Sequence, residues 1–156
     1  MSEYGWALFL HLLGVVVLAG GIAVAGVGFA AARRRERPSE VALLLATTRS
    51  GVLLVAGGSL AVLAGGFWLV AVTGRGFDEG WLAGALALFV LASALGGIGG
   101  QTPKRARLLA ERLAGQADEP SEDLRRLLFD RRAAVLNAAS TLGLLGVLLL
   151  MIWKPA

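Results

Sequence analysis

Long apolar stretches alternate with charged segments along this chain of 156 residues. The apolar stretches cover residues 5–32, 51–73, 81–100 and 133–153. Each has about the 20 residues that a helix needs to cross ~30 Å of hydrocarbon. A helix is expected because hydrocarbon offers no water to backbone N–H and C=O groups. The pattern therefore predicts an all-α polytopic membrane protein, a four-transmembrane-helix bundle that forms one domain over the whole chain.

Charge is concentrated in the segments that separate the apolar stretches. Thirteen of the fifteen lysines and arginines lie in residues 33–50 and 101–132, and only Arg75 and Lys154 lie on the other side. Loops rich in lysine and arginine stay in the cytoplasm. We therefore expect the bacterial inner membrane as the location, with both basic segments in the cytoplasm and both termini outside. The arginines of the 33–37 segment are expected to contact anionic lipids.

The aromatic residues give an independent indication of the outer surface. Indole rings prefer the headgroup level because they combine an apolar body with a polar N–H. All the tryptophans fall at the end of the predicted spans that is remote from the basic segments. They are Trp6, Trp68, Trp81 and Trp153, with Tyr4 and Phe77 near them. We expect them to form an outer aromatic belt.

Two proline–serine–glutamate triplets, at residues 38–40 and 120–122, precede spans two and four. A serine before an acidic first turn is a typical N-cap, so Ser39 and Ser121 are predicted to begin helices. Each helix would run for about three turns before the membrane, which predicts cytoplasmic extensions of both spans. Residues 103–113 predict a further short cytoplasmic helix. Because the same triplet precedes a helical extension and a span in both places, the chain could contain a duplicated helical hairpin.

Small residues recur every seven positions in the first two spans. Seven residues make almost two helical turns, so each row lies on one face and lets another backbone approach closely. The rows are Gly14, Gly21 and Gly28 in span one, and Gly51, Gly58 and Gly65 in span two. Two interpretations follow: packing within one molecule, or a subunit interface. The second would make the protein a homo-oligomer or a subunit of a membrane complex.

The amino-acid composition excludes several kinds of catalytic and metal-binding site. The chain has no cysteine, which excludes disulfides, thiolate metal sites and cysteine catalysis. The spans contain no paired carboxylates, and no phosphate loop or nucleophile–base motif is recognisable. Because the basic residues flank apolar spans, the net charge of +4 points to lipid and not to nucleic acid. The leading hypothesis is therefore a non-enzymatic accessory or self-associating membrane component.

His11, the single histidine, is the candidate residue for chemistry. It lies about 7–8 Å below Trp6 along a helix and interleaves with the glycine row of span one. An ionisable residue inside a membrane is a functional candidate by default. His11 could be a neutral imidazole bonded to a neighbouring backbone or hydroxyl, a ligand of haem b or a metal, or a proton-transfer group. A second haem ligand could be Met151, or the same histidine of a second copy.

A second polar group lies at the inner end of the spans. Arg49 enters span two, while Asn137 and Ser140 lie in the inner third of span four. They could form a small anion or substrate site, or Arg49 could reach phosphate headgroups while the others bond across helices. A third hypothesis, a small-molecule transporter or channel, needs an oligomer. The middle of the spans offers Ser59 and Ser93 as its main polar residues.

Several short runs carry a resemblance to known families. They are His11-Leu12-Leu13-Gly14 with the following Gly20-Gly21, the region from Gly65-Gly66-Phe67-Trp68 to Trp81, and the basic segment after span three. The chain resembles a bacterial four-helix membrane family of unknown function and, more distantly, the copper-resistance protein D and membrane protoporphyrinogen oxidase superfamily. In the oxidase group the first-helix histidine binds haem, which implies a haem or copper role for His11. This sequence departs from those relatives in lacking a second histidine, and it has Leu18-Ala19 where they often carry a tryptophan.

Overall fold

The computed structural model describes residues 2–76 and 79–153, and the predicted roles of Phe77 and Lys154 lie outside these ranges. Every helix or strand within the ranges is an α-helix. In chain order the helices are α1 (Glu3–Ala32), α2 (Pro38–Thr73), α3 (Gly80–Gly99), α4 (Gln101–Ala114), α5 (Glu122–Leu128) and α6 (Arg131–Trp153). Four helical stretches, which contain α1, α2, α3 and α6, are long and apolar enough to cross a membrane. The predicted all-α class with four spans is confirmed.

The chain divides into two compact units. The first unit holds α1 and α2 together with Ala110–Ser121, and its main contact joins α1 and α2. These two helices and the turn between them are called here the first hairpin. The second unit holds Gly76–Leu109 and the chain from Glu122 onward, and its main contact joins α3 and α6. Each unit is therefore built on one pair of long apolar helices.

Local chemistry sets the ends of the helices in the first hairpin. The Oγ of Ser2 accepts a hydrogen bond from the backbone N of Gly5 at 3.2 Å and caps α1. Pro38 opens α2, where its missing N–H and fixed φ suit the first helical position. Gly74 follows the last residue of α2 with a φ of 65°, the left-handed conformation that ends helices and that glycine adopts without strain.

Glycines bring α1 and α2 into backbone contact. All three glycines of each seven-residue row are buried. A Cβ atom added at Gly21 would lie 2.7 Å from the backbone N of Val55 and 2.8 Å from the O of Gly51. A Cβ atom at Gly58 would lie 2.5 Å from the backbone N of Leu18. No larger residue fits at either position unless the helices move apart.

The same contacts fix the register of the two helices, which run in opposite directions. A Cβ atom at Gly51 would lie 2.6 Å from the backbone N of Ala25, and one at Gly28 would lie 2.5 Å from Oγ1 of Thr47. The stretch of α2 between Thr47 and Gly51 is therefore level with the stretch of α1 between Ala25 and Gly28. The predicted extension of α2 thus runs beside the last turns of α1.

Small residues also join α3 and α6. A Cβ atom at Gly96 would lie 2.7 Å from Oγ of Ser140, and one at Gly143 would lie 2.9 Å from Cβ of Ala92. The buried hydroxyl of Ser140 donates a hydrogen bond to the backbone O of Ala92 at 2.7 Å. Helices surrounded by lipid associate through close packing and bonds of this kind, because lipid tails are as apolar as the helices.

The helix entering span four is not continuous, so the prediction of one long extension was wrong there. α5 ends at Leu128 and α6 begins at Arg131. Oδ1 of Asp130, between them, accepts a hydrogen bond from the backbone N of Arg132 at 2.9 Å. Its Oδ2 accepts one from Oγ1 of Thr102 at 3.2 Å. A short acceptor side chain competes with helix continuation and caps the next helix instead.

Candidate functional site around His11

A pair of glycines makes room for the imidazole of His11 on the first hairpin. A Cβ atom at Gly65 would lie 2.6 Å from the backbone N of His11, so this glycine lets the two backbones touch. A Cβ atom at Gly66 would lie 3.4 Å from Nδ1 and 3.6 Å from Cε1 of the ring. The imidazole therefore lies beside the bare backbone of Gly66. The sequence indicated the glycine row but not this second role of the Gly65-Gly66 pair.

One ring nitrogen of His11 forms a hydrogen bond with the backbone of α2. Its Nδ1 lies 2.9 Å from the O of Val62. A carbonyl oxygen can only accept, so Nδ1 carries the proton and donates. In the neutral imidazole this leaves the lone pair of Nε2 free to accept a proton or bind a metal. The backbone bond is the contact that the neutral-imidazole interpretation expects, and a histidine that binds haem or a metal uses the same contact.

The same geometry is the one that metal-binding histidines use. Such a histidine almost always donates its second ring N–H to a carboxylate, carbonyl or water, which fixes the tautomer and aims the other nitrogen. Within residues 2–76 and 79–153, no group of three or more His, Cys, Asp and Glu side chains could hold a metal ion. A metal site at His11 would therefore need ligands other than such a cluster, from a thioether, a cofactor or a partner.

The other predicted site residues are divided between the two units. Met151 is half-buried on α6, in the second unit, whereas His11 belongs to the first. Arg49 is exposed on α2 of the first unit. In the second unit, Ser140 bonds to α3 as described, and Oδ1 of Asn137 would lie 2.6 Å from a Cβ atom at Gly99. Both side chains on α6 thus contribute to the contact between α3 and α6.

Sequence reasoning missed a carboxylate that caps α2 from a distant segment. The prediction that Ser39 is the N-cap was wrong. α2 starts at Pro38, two residues before the start that a cap at Ser39 would give, and Arg37 occupies the cap position without a side-chain bond. Instead, Ser39 donates two hydrogen bonds of 2.7 Å to the carboxylate of Asp118, one from its backbone N and one from Oγ. Asp118 has a φ of 50°, a left-handed conformation in which aspartate is enriched.

The bond between Asp118 and Ser39 makes the start of α2 sensitive to acid. Hydrogen bonds from Ser39, with a smaller contribution from Arg37, hold the pKa of Asp118 below its ordinary 3.8. A carboxyl with a lowered folded-state pKa contributes stability above its unfolded pKa, and this contribution is lost as the pH falls through the folded value. Asp118→Asn should therefore speed amide exchange in the first turn of α2 at neutral pH, and the difference from the native protein should shrink below pH ~3.8.

Hydrogen exchange measured by mass spectrometry on peptides that cover the start of α2 tests this expectation. Glu119→Gln is the matched control, because Glu119 is an exposed neighbour and forms no bond with Ser39. Equal effects of the two substitutions at neutral pH would contradict the assignment of Asp118 as the cap.

Comparison with known proteins adds a family match. The family described as "Predicted integral membrane protein (DUF2269)" matches residues 6–155 of the chain. No curated protein matches significantly. No solved structure matches significantly either.

Proposed function

Because the chain belongs to the DUF2269 family of predicted integral membrane proteins, we propose that it works within the membrane as an accessory or self-associating helical component. The main support is a second row of small residues on α2, which the contact with α1 does not use. The row consists of Ser50, Gly57, Ala64 and Ala71, spaced seven residues apart and all exposed.

This second row offers a surface for close approach by another helix. A Cβ atom at Gly57 would meet nothing within 4 Å, whereas its neighbour Gly58 is closed in by α1. A row of small residues lets a second backbone come near, and lipid contact alone does not call for small side chains. The proposed occupant is a helix of a second copy or of another membrane protein.

Energy transfer between labelled copies tests the self-association. Donor-labelled and acceptor-labelled proteins are reconstituted together in liposomes, and the transfer is compared with that of randomly mixed proteins at the same density. The native chain should exceed the random level, and Gly57→Leu should remove most of the excess. Ala56→Leu is the control, since it adds similar bulk at an exposed site about 100° around the helix. Random transfer by the native chain in several lipid mixtures would reject self-association.

A second candidate function, a haem- or copper-handling membrane protein, is favoured by the geometry at His11. The hydrogen bond to Val62 fixes the ring and leaves Nε2 free, as in a histidine prepared for ligation. The resemblance to the copper-resistance protein D superfamily supports the same proposal. Haem b with one axial ligand from His11 fits a chain in which this is the single histidine.

Absorption spectroscopy separates the two candidates. Protein purified from haem-replete cells should show a Soret band if His11 binds haem, and His11→Ala should lose the band completely. Met151→Leu is the control, because it would alter the spectrum only if the thioether were the second axial ligand. Copper analysis of the same preparations covers the metal alternative. A colourless, metal-free protein after attempted reconstitution would reject this candidate and leave the accessory role untouched.

A further inference from the structure

The register of the first hairpin places Arg49 at a defined depth. Arg49 lies between Thr47 and Gly51, so it is level with the stretch of α1 from Ala25 to Gly28. That stretch begins 19 residues after Trp6, about 29 Å away at a rise of 1.5 Å per residue. On α2, Arg49 precedes Trp68 by 19 residues, which is the same distance.

These distances match one thickness of hydrocarbon, which is ~30 Å. Trp6 and Trp68 are both exposed, as suits an aromatic anchor at one edge of the bilayer. Arg49 then stands at the opposite edge. The end of α1 at Ala32 lies four to seven residues past this level, so the 33–37 turn begins about 6–10 Å beyond Arg49 along the helix axis.

Among the described residues, Arg49 has no counter-charge. It is exposed, and it takes part in no ion pair or side-chain hydrogen bond among the described residues. The residues three and four positions away on α2 are all apolar: Leu45, Ala46, Val52 and Leu53. The stretch of α1 at the same level contains no charge either.

Two arginines of the 33–37 turn, in contrast, have partners within the turn region. The guanidinium of Arg33 lies 4.7 Å from the ring centre of Phe29, a cation–π distance. Nη1 of Arg35 lies 3.6 Å from a carboxylate oxygen of Glu40. The exposed cation nearest to the edge of the hydrocarbon on this hairpin is therefore Arg49.

We propose that Arg49 binds the phosphate of an anionic phospholipid in the leaflet on the side of the 33–37 turn. A guanidinium presents a planar fork of N–H donors that matches phosphate oxygens. The tip of the first hairpin, defined here as residues 29–48, crosses the headgroup layer and carries the turn beyond it. In this proposal Arg49 therefore takes the phosphate contact that the sequence alone assigned to the arginines of the 33–37 segment. This goes further than the proposed accessory function and does not depend on it.

Lipid retention provides the test. Nanodiscs of phosphatidylcholine mixed with phosphatidylglycerol are made with native protein, Arg49→Gln or Arg34→Gln, and the phosphatidylglycerol bound to each protein is measured by native mass spectrometry. Arg49→Gln should bind phosphatidylglycerol about fivefold more weakly, the factor expected for one basic residue at an anionic surface. Arg34→Gln removes an exposed charge of the turn and should change binding much less.

Two further arms keep the proposal falsifiable. Inorganic phosphate at equal concentration should not displace the lipid, and efficient displacement would assign Arg49 to free phosphate instead. Nitroxide labels on Leu43→Cys and Leu60→Cys compare two exposed leucines of α2. The first should collide with a water-soluble nickel complex and the second with dissolved oxygen. Equal lipid loss in Arg34→Gln, no loss in Arg49→Gln, or reversed nitroxide accessibility would overturn the proposal.

Discussion

Replacing Gly21 with alanine is expected to destabilise the first hairpin by about 1–3 kcal/mol, the usual cost of overpacking a tight contact. The added methyl group would lie 2.7 Å from the backbone N of Val55 and 2.8 Å from the O of Gly51. Backbone atoms cannot rotate away as the end of a flexible side chain can. The two helices must therefore separate near Gly21, and this separation also breaks the neighbouring contacts between α1 and α2.

Gly26 supplies a matched control for this substitution on the same helix. A Cβ atom there would meet nothing within 4 Å, so Gly26→Ala changes helix propensity and little else. Alanine is the better helix former by about 1 kcal/mol in water, so the control should be neutral or slightly stabilising. Unfolding of both variants in mild detergent gives the comparison. If Gly21→Ala were as stable as Gly26→Ala, the close contact between α1 and α2 would be contradicted.

The sequence predicted which faces of α1 and α2 carry the small residues. It did not predict the register of the two helices, that is, which residue of α1 lies beside which residue of α2. Seven residues make almost two turns, so the rows that contain Gly21 and Gly51 had to lie on single faces. Which glycine lies beside which residue depends on where the chain turns between α1 and α2. That turn is short and places Gly51 beside Ala25, so Arg49 stands well before the end of α1.

At the candidate site, too, the sequence predicted the residue but not the group that it contacts. The isolated polarity of His11 in an apolar stretch marked it as the residue to examine. Its partner is a backbone carbonyl, that of Val62, and every residue has a carbonyl, so composition carries no signal for it. The cap formed by Asp118 was missed for a related reason, because its partner Ser39 is 79 residues away. Long-range pairs depend on how the chain folds back, which local patterns do not encode.

Orientation in the membrane gives the second large expected effect, since labelling at each site is close to all or none. Both basic segments are proposed to lie in the cytoplasm. The reverse orientation would move thirteen lysines and arginines to the outer side. Those near the surface would lose an attraction to the anionic inner leaflet of ~1 kcal/mol each. The reverse orientation would also place the tryptophans at the inner interface. The basic residues and the tryptophans would then no longer indicate the same outer surface.

Cysteine accessibility in intact cells tests the proposed four-span topology most directly, because the native chain has no cysteine to interfere. Ser2→Cys and Gly76→Cys should react with a membrane-impermeant maleimide in intact cells. Gln116→Cys, between α4 and α5, should react only after the membrane is permeabilised. Reaction of Gln116→Cys alone in intact cells would contradict the orientation, and reaction of all three would contradict the four-span topology.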